Sequence, residues 1–573
     1  MIPGVPTVAE PVLADQAPPG RASGYPAFLK RSQRRGVFLA DIMVRRKDSG
    51  VLLAAPTDIL GDPVLADQPR GGFKLGLPER LFLSSHTFIG RPDDPRRPNA
   101  VARPRLRTAV NINRTYPFLP GETQAVQSTD GYIELANDDG AYDYLAAAMT
   151  ADGLDVSIYH GPRRGYFDDF SLRMKVLGRS FSGADKRTRL QLRNDVSLVA
   201  KPIASSYYTG EGLMDGDLDI AGLPVPSAFG TCGNVGMVRM LKASEVWQIA
   251  QGPLQGINAV YDGGLPLTFT ADYPTLAALI AAPVSAGQYA TCEALGLVRF
   301  FENAAFKYTA DIQGFVFETE WLATLSQIAE YLLRHRAGLF ANAIDRAAVF
   351  SVGAVEAGYY TGTSDLLVSD FLDEAARSIV GFHGLGRDGR YRLKRVLAPS
   401  SYALPQAIPV AGVDVKPEDF ETYVRSEQPV RYDRNWTPMT DQEIAPAVSD
   451  ERRQYLKSQG RSITIPNGSA AAFYKTSAPG DPINSIVVSQ FWATEIGKEA
   501  IKMVGTEQST YSVDVGRRGY LLDGGDPVTF TTDRYGASGN VWIVKEIQER
   551  SEGERMTLKV FGTPRRLQPG ETI

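Results

Sequence analysis

The densest polar stretch of the chain is YHGPRRGYFDDF, from Tyr159 to Phe170, which brings His160, Arg163, Arg164, Asp168 and Asp169 close together. An imidazole beside carboxylates could act as a general acid or base, since its charge changes near neutral pH. The same residues also make a salt-bridged loop between two strands, and the strand-like flanks favour the loop. Glu318 and Glu320 form a carboxylate pair of the kind a glycosidase uses, although distance in space rather than in sequence decides that chemistry. Asp215-Gly216-Asp217-Leu218-Asp219 opens like a calcium loop, where alternate carboxylates converge on a hard cation. Ile220 stands where the loop needs glycine and Pro226 where it needs the closing glutamate, so an acidic turn is favoured.

Gly384-Leu385-Gly386-Arg387-Asp388-Gly389 fits the spacing of a dinucleotide loop. That loop must follow a strand and open a helix, whereas here the spacing predicts a helix before it and a strand after. The histidines, His86, His160, His335 and His383, include no i, i+4 pair and no HExxH, so a zinc hydrolase has no ligands in view. No phosphate-binding Walker loop and no GxSxG elbow occurs. Cys232 and Cys292 are too few for a disulfide framework or a four-ligand zinc site and are expected as buried free thiols. No residue is therefore assigned a catalytic, cofactor-binding or metal role, and the chain is not expected to be an enzyme.

The elements that would hold these residues are mostly strands. From Ser128 to Asp195 the chain reads as a short strand at Tyr132, a reversal at Asn137-Asp138-Asp139-Gly140, a helix from Tyr142 to Met149, and strands at 154–159, 170–177 and 188–192. Strands are also expected at 37–44 and 81–89. The stretch from Arg91 to Arg107 holds four prolines and reads as an exposed loop, its arginines facing solvent or docking on an acidic partner. Residues 201–236 read as loop and short strand. Beyond them come strands at 245–249, 256–261, 267–270 and 295–301, with a helix from Tyr273 to Ala282. Amphipathic helices are expected at Glu320 to Arg336 and Asp365 to Phe382. The last third reads as strands at 511–515, 526–531, 541–548 and 556–562, with helices at 450–457 and 494–504.

At 573 residues the chain exceeds one hydrophobic core. The divisions expected are 1–35, an extended proline-rich arm; 36–204, a β domain; 205–310, an inserted α+β domain; 311–400, an α+β domain with two amphipathic helices; and 401–573, a second β domain. The fold class is mainly β with α+β insertions. A net charge of −4 argues against broad phosphate binding. The absence of a long apolar run argues against membrane insertion, and no secretory signal is expected. The hexapeptide PVLADQ occurs at Pro11 to Gln16 and again at Pro63 to Gln68, and no physical reason for it is apparent.

Several segments together resemble the baseplate hub or tail-tip hub proteins of tailed bacteriophages and prophages. They are GYIELANDDGAYDYL, DVSIYHG with FSLRMKVLGRS, SLVAKPIASSYYTGEG, GLGRDGRYRLKRVLAP, VRYDRNWTP and GYLLDGGDPVTFTTDRYGASGNVWIVKEIQE. The resemblance covers most of the chain from about Val37 onward; the proline-rich arm and the cysteine-poor insert depart from it. It implies β-barrel-like hub domains and a homotrimer in which two such domains per chain alternate in a pseudo-sixfold ring. That ring would join a distal tail or tail tube protein to a central fibre or spike protein. The tape measure protein would occupy its lumen, and DNA would pass at ejection without sequence recognition. The location implied is the virion tail tip or baseplate, assembled in the host cytoplasm. Other readings are a tail-associated cell-wall or polysaccharide hydrolase, and a receptor-binding adhesin displaying Tyr207, Tyr208 and Phe229.

Overall fold

The computed structural model describes residues 37–46, 79–122, 124–128, 131–184, 186–193, 198–410, 414–419, 424–475, 477–532, 537–551 and 554–564. The expected N-terminal arm and both PVLADQ copies lie outside the described residues. The fold is mainly β, built from several sheets with short helices between them.

The largest sheet runs in the order Glu79–Ser84, Val37–Arg46, Asp155–Gly161, Ser171–Ala184, Arg187–Arg193, Tyr132–Ala136, Leu106–Thr115, Trp542–Arg550, Arg555–Gly562, Ser509–Asp514 and Asp414–Asp419. The strands of the first 200 residues and those of the last third thus share one sheet. Their seam is the antiparallel pair Leu106–Thr115 with Trp542–Arg550, Asn111 lying opposite Arg550 and Thr115 opposite Glu546. Alternation drives the strands into it: Arg187–Arg193 turns Thr188, Leu190 and Leu192 inward and its arginines and Gln191 outward. Burying each large apolar side chain in this way contributes about 1.5–3 kcal/mol.

The first seven strands curl until the Ser84 N–H donates to the Arg103 carbonyl at 2.7 Å, just ahead of Leu106–Thr115. Among the described residues a single bridge, Leu83 to Arg103, stands at this junction, so their arc is barrel-like without closing into a barrel. The Asn137-to-Gly140 reversal sits on this body as expected. Gly140 holds φ +70°, the Asn137 side chain accepts from the Tyr142 N–H at 2.8 Å and its amide donates to Asp143 at 2.7 Å. A Cβ at Gly140 would lie 3.2 Å from the Asp143 carboxylate. Gly140→Val should therefore lose about 1–2 kcal/mol from the left-handed backbone alone, read as a lower denaturant midpoint.

Residues 228–360 carry a six-stranded sheet, with Tyr308–Phe317 between Leu254–Asp262 and Ala228–Gly236, and a five-stranded sheet from Val238–Leu241 to Thr268–Asp272. Two apolar clusters fill them, one around Cys232, Val260 and Ile312 that also takes in Tyr289, Val298 and Phe300 of the five-stranded sheet, the other around Val246, Leu279 and Cys292. Both cysteines are buried free thiols, in separate clusters. Residues 228–236 were expected as loop and short strand; they form a nine-residue strand.

The helices differ in their bounds. The expected Glu320–Arg336 helix begins as a strand, Glu320–Trp321 pairing with Val316–Phe317. Thr324 and Gln327 then cap Leu325–Tyr331, which continues as a π-helical turn, Leu332–Arg336. The expected Asp365–Phe382 helix is Val368–Arg377; Phe382 belongs to the following strand, Gly381–Leu385. That strand and Tyr391–Arg395 form a hairpin, so Gly386 to Gly389 is its turn. Among the described residues no helix is long and apolar enough to cross a membrane.

Candidate functional site

The polar stretch around His160 is divided by the fold. His160 is fully buried, its ring 4.6 Å from Phe38 and edge-on to Tyr520 at 5.3 Å, with the Glu554 carboxylate 3.9 Å from Nε2. Arg163 and Arg164 lie in the exposed turn beyond the strand end. Asp169 accepts from the Tyr166 N–H at 2.8 Å, and Asp168 meets Arg96 at 3.3 Å. Imidazole and carboxylates are thus committed to different neighbours.

The arginine- and proline-rich loop keeps Arg91, Arg96 and Arg107 exposed, as expected, while Arg97 turns inward. Its prolines keep it out of a ladder except at Val101–Ala102 and at its end, where Leu106 opens the strand Leu106–Thr115, and it folds over the turn at 166–170. Asp94 accepts from the N–H groups of Arg96, Arg97 and Phe167. These bonds outweigh the cost of its partial burial and hold its carboxyl below the usual range. Arg97 pairs with the buried Asp41 and stacks on Phe82 and Phe167 at 4.4 and 4.6 Å. Arg91 lies 4.5 Å over Tyr166, whose hydroxyl donates to Asp93 at 2.6 Å. Beneath the loop is a groove of about 530 Å³ whose lining includes Met43, Arg80, Arg96, Leu172 and Lys175.

A second polar centre lies at the seam of the large sheet and was not legible as a site. Arg173 and Arg387 both bond the buried Glu549 carboxylate, at 3.0 and 2.5 Å. The guanidinium of Arg173 lies 3.8 Å over the Tyr520 ring and also donates to the Tyr520 carbonyl, while that of Arg387 donates to the Leu522 carbonyl at 2.9 Å. Asp523 takes Arg392 at 2.5 Å, the Tyr116 hydroxyl at 2.8 Å and the Arg387 N–H at 3.1 Å. Burial alone would raise Glu549, but Arg387 and Arg173 outweigh it and hold the carboxyl below the usual range. Asp523 is lowered in the same way, burial being opposed by Arg392 and Arg387. Burial, and then Asp523, hold the Tyr116 phenol protonated. Four segments of the resemblance meet here: DVSIYHG through His160, FSLRMKVLGRS through Arg173, GLGRDGRYRLKRVLAP through Arg387 and Arg392, and the last segment through Tyr520, Asp523 and Glu549.

The remaining candidates are scattered. Glu318 sits in an exposed turn at φ +55°, and Glu320 accepts from the Gln327 amide at 2.6 Å. Asp219 pairs with the Lys242 ammonium at 2.8 Å, and Asp217 accepts from the Lys242 N–H at 2.8 Å. His335 lies 5.0 Å from Tyr331, its pKa lowered by burial and then by Arg334 and Arg336. His383 is buried between Asp373 at 2.8 Å and Tyr391 at 2.6 Å. Among the described residues no group of three or more His, Cys, Asp or Glu is placed to hold a metal. Of the aromatic residues expected on an outer surface, Tyr207 is exposed, whereas Tyr208 and Phe229 are buried. Tyr208 bonds Gln248 and Phe229 packs on Phe315 and Tyr331, so both serve the core.

No protein-family model and no curated protein sequence matches the chain. Among solved structures, a chain from the virion of a native gene transfer agent particle aligns at 13% identity and a TM-score of 0.38, covering 61% of this chain and 87% of that one. The 43 kDa tail protein of prophage MuSo2 from Shewanella oneidensis aligns at 8% identity and a TM-score of 0.32, covering 81% of this chain and 96% of that one.

Proposed function

We propose that the chain is a structural protein of a bacteriophage tail, a baseplate or tail-tip hub. Three copies form a pseudo-sixfold ring between a distal tail or tail tube protein and a central fibre or spike protein. The observation that carries this reading is the seam. Strands from the first 200 residues and strands from the last third make two parts of one sheet, clamped by a buried cluster of charges in which four of the hub-resembling segments meet. Two β bodies per chain give six surfaces in a trimer, a closed way to match a sixfold tube to a threefold fibre. The tape measure protein would occupy the lumen and DNA would pass through it unread, at the tail tip of a virion assembled in the host cytoplasm. The divisions at 36–204, 205–310, 311–400 and 401–573 belong to the same proposal.

The purified full-length chain should scatter light as about three times 62.4 kDa. A chain that is monomeric both in solution and in assembled tails would overturn the ring. Release of sugars or peptides from cell-wall material, lost in Glu318→Gln or Asp168→Asn, would overturn the structural role in favour of a hydrolase.

A further inference from the structure

Arg114 brings a further guanidinium to the seam of the large sheet, beside those of Arg173, Arg387 and Arg392. In the antiparallel pair of Leu106–Thr115 with Trp542–Arg550, Ile112 lies opposite Glu549 and Arg114 opposite Ile547. Residues two apart share a face, so Arg114 stands on the buried face between Ile112 and Tyr116, diagonal to Glu549. It is 3% exposed. Its charge helps to hold both Glu549 and Asp523 ionised, which places the guanidinium within the cluster.

The two carboxylates are already taken by other donors. Glu549 accepts from Arg173 and Arg387, and Asp523 accepts from the Tyr116 hydroxyl, from Arg392 and from the backbone N–H groups of Arg387 and Gly524. Nη1 of Arg114 is buried without a hydrogen-bond partner, and no carboxylate among the described residues pairs with its guanidinium. Nε of Arg387, in the same cluster, is also buried without a partner. A buried charge with no bonded counter-ion is costly, and most groups so placed escape by titrating. A guanidinium has no such escape, because it keeps its proton.

We infer that the seam binds one small monovalent anion, of the chemistry of chloride, against the Arg114 guanidinium. One cation without a bonded anion calls for a single negative charge, and a spherical ion needs only the one or two N–H donors that remain. A phosphate or sulfate would need the donors that Glu549 and Asp523 already hold. With the ion in place, every guanidinium of the cluster has a bonded anion, and the clamp between the first and last thirds of the chain is complete. Each copy carries the whole site, so the ion does not depend on how many copies assemble.

Hydrogen exchange of the full-length chain reads the ion where it acts. Sodium chloride is substituted stepwise for sodium gluconate, whose anion is too large to enter, at fixed ionic strength. The amides of 106–115 and 542–550 should slow by about tenfold for each tenfold rise in chloride above its Kd, because the ion binds the closed seam and not the open one. Those of Tyr308–Phe317, in another sheet, should not respond. Arg114→Met, which keeps the apolar stem and removes the charge, should exchange alike in both salts. Bromide should replace chloride, and in a wild-type crystal its anomalous peak should lie at hydrogen-bonding distance from Arg114. The titration and the peak decide even where Arg114→Met does not fold. Seam exchange that is equal in chloride and gluconate overturns the site and leaves Nη1 to water. Slowing that extends to Tyr308–Phe317 or survives in Arg114→Met overturns it as well, the first as a bulk salt effect and the second as an ion bound elsewhere. Bromide peaks confined to exposed arginines would do the same.

Discussion

Glu549→Gln should destabilise the seam of the large sheet by about 3–5 kcal/mol, because it leaves Arg173 and Arg387 buried and charged without a carboxylate. The loss should be local before it is global. Residues 542–550 pair with 106–115, and their amides should exchange with solvent roughly two to three and a half orders of magnitude faster in the variant. The large effect comes from breaking the cluster rather than from its net worth, since buried ion pairs are often no better than packed apolar groups. The triple variant Arg173→Met, Arg387→Met, Glu549→Leu should accordingly lose less than the single one. It still forfeits the bonds to the Tyr520 and Leu522 carbonyls, so it should not reach wild-type stability. A Glu549→Gln protein within about 1 kcal/mol of wild type would show that the cluster does not clamp the two halves.

The same carboxylates set a pH dependence whose sign follows from their lowered values. Glu549 and Asp523 lie below their ordinary 4.5 and 3.8 in the folded chain, so folding favours their ionised forms. Their stabilisation is fully present above those ordinary values and is lost as pH falls through the lower folded ones. The denaturant midpoint of wild type should drop between about pH 5 and pH 3, and that of Glu549→Gln should fall less steeply.

This cluster also shows where reading from sequence stops. The strands around it were legible: Val37 to Val44 extends only to Arg46, and Met556 to Gly562 gains Arg555. What alternation could not tell is that Arg173 and Glu549 point inward, because a polar residue at an inward position looks like an outward one until its partner is known. Those partners lie 376 residues apart. Tyr308–Phe317 was missed for a related reason. Strands cover both of its edges, Gly314 breaks its apolar pattern, and Asp311 and Gln313 lie partly buried among neighbours. The capping pair of Thr324 and Gln327 was in the sequence, and with it the true helix start, but the apolar stripe reaching back to Leu322 masked it.

Ala228–Gly236 was hidden by its three glycines, which read as a loop signal and in the fold serve close approach. Gly230 lies opposite Gly358 in the sheet. A Cβ on Gly230 would stand 1.8 Å from the Ala357 carbonyl oxygen, and one on Gly358 would stand 1.9 Å from that of Thr231. These are backbone atoms that cannot swing aside: the Ala357 carbonyl already accepts from the Thr231 N–H at 3.1 Å, and the Gly358 N–H donates to Ile486 at 2.9 Å. Gly230 also holds φ +63°. Gly230→Ala should therefore add a forced separation of strands to the roughly 1 kcal/mol that alanine loses in a left-handed conformation. The total should pass about 3 kcal/mol. Gly338→Ala is the matched control, with φ +74° and open space around the added carbon, so it should show the conformational part alone. The difference between the variants isolates the clash, read as faster exchange of the Thr231 and Gly358 amides. Equal losses in the two would mean that the strands can part freely. The six-stranded sheet would then not be anchored through its edge strand Gly358–Tyr360 to the segment that reaches Ile486 and Val487.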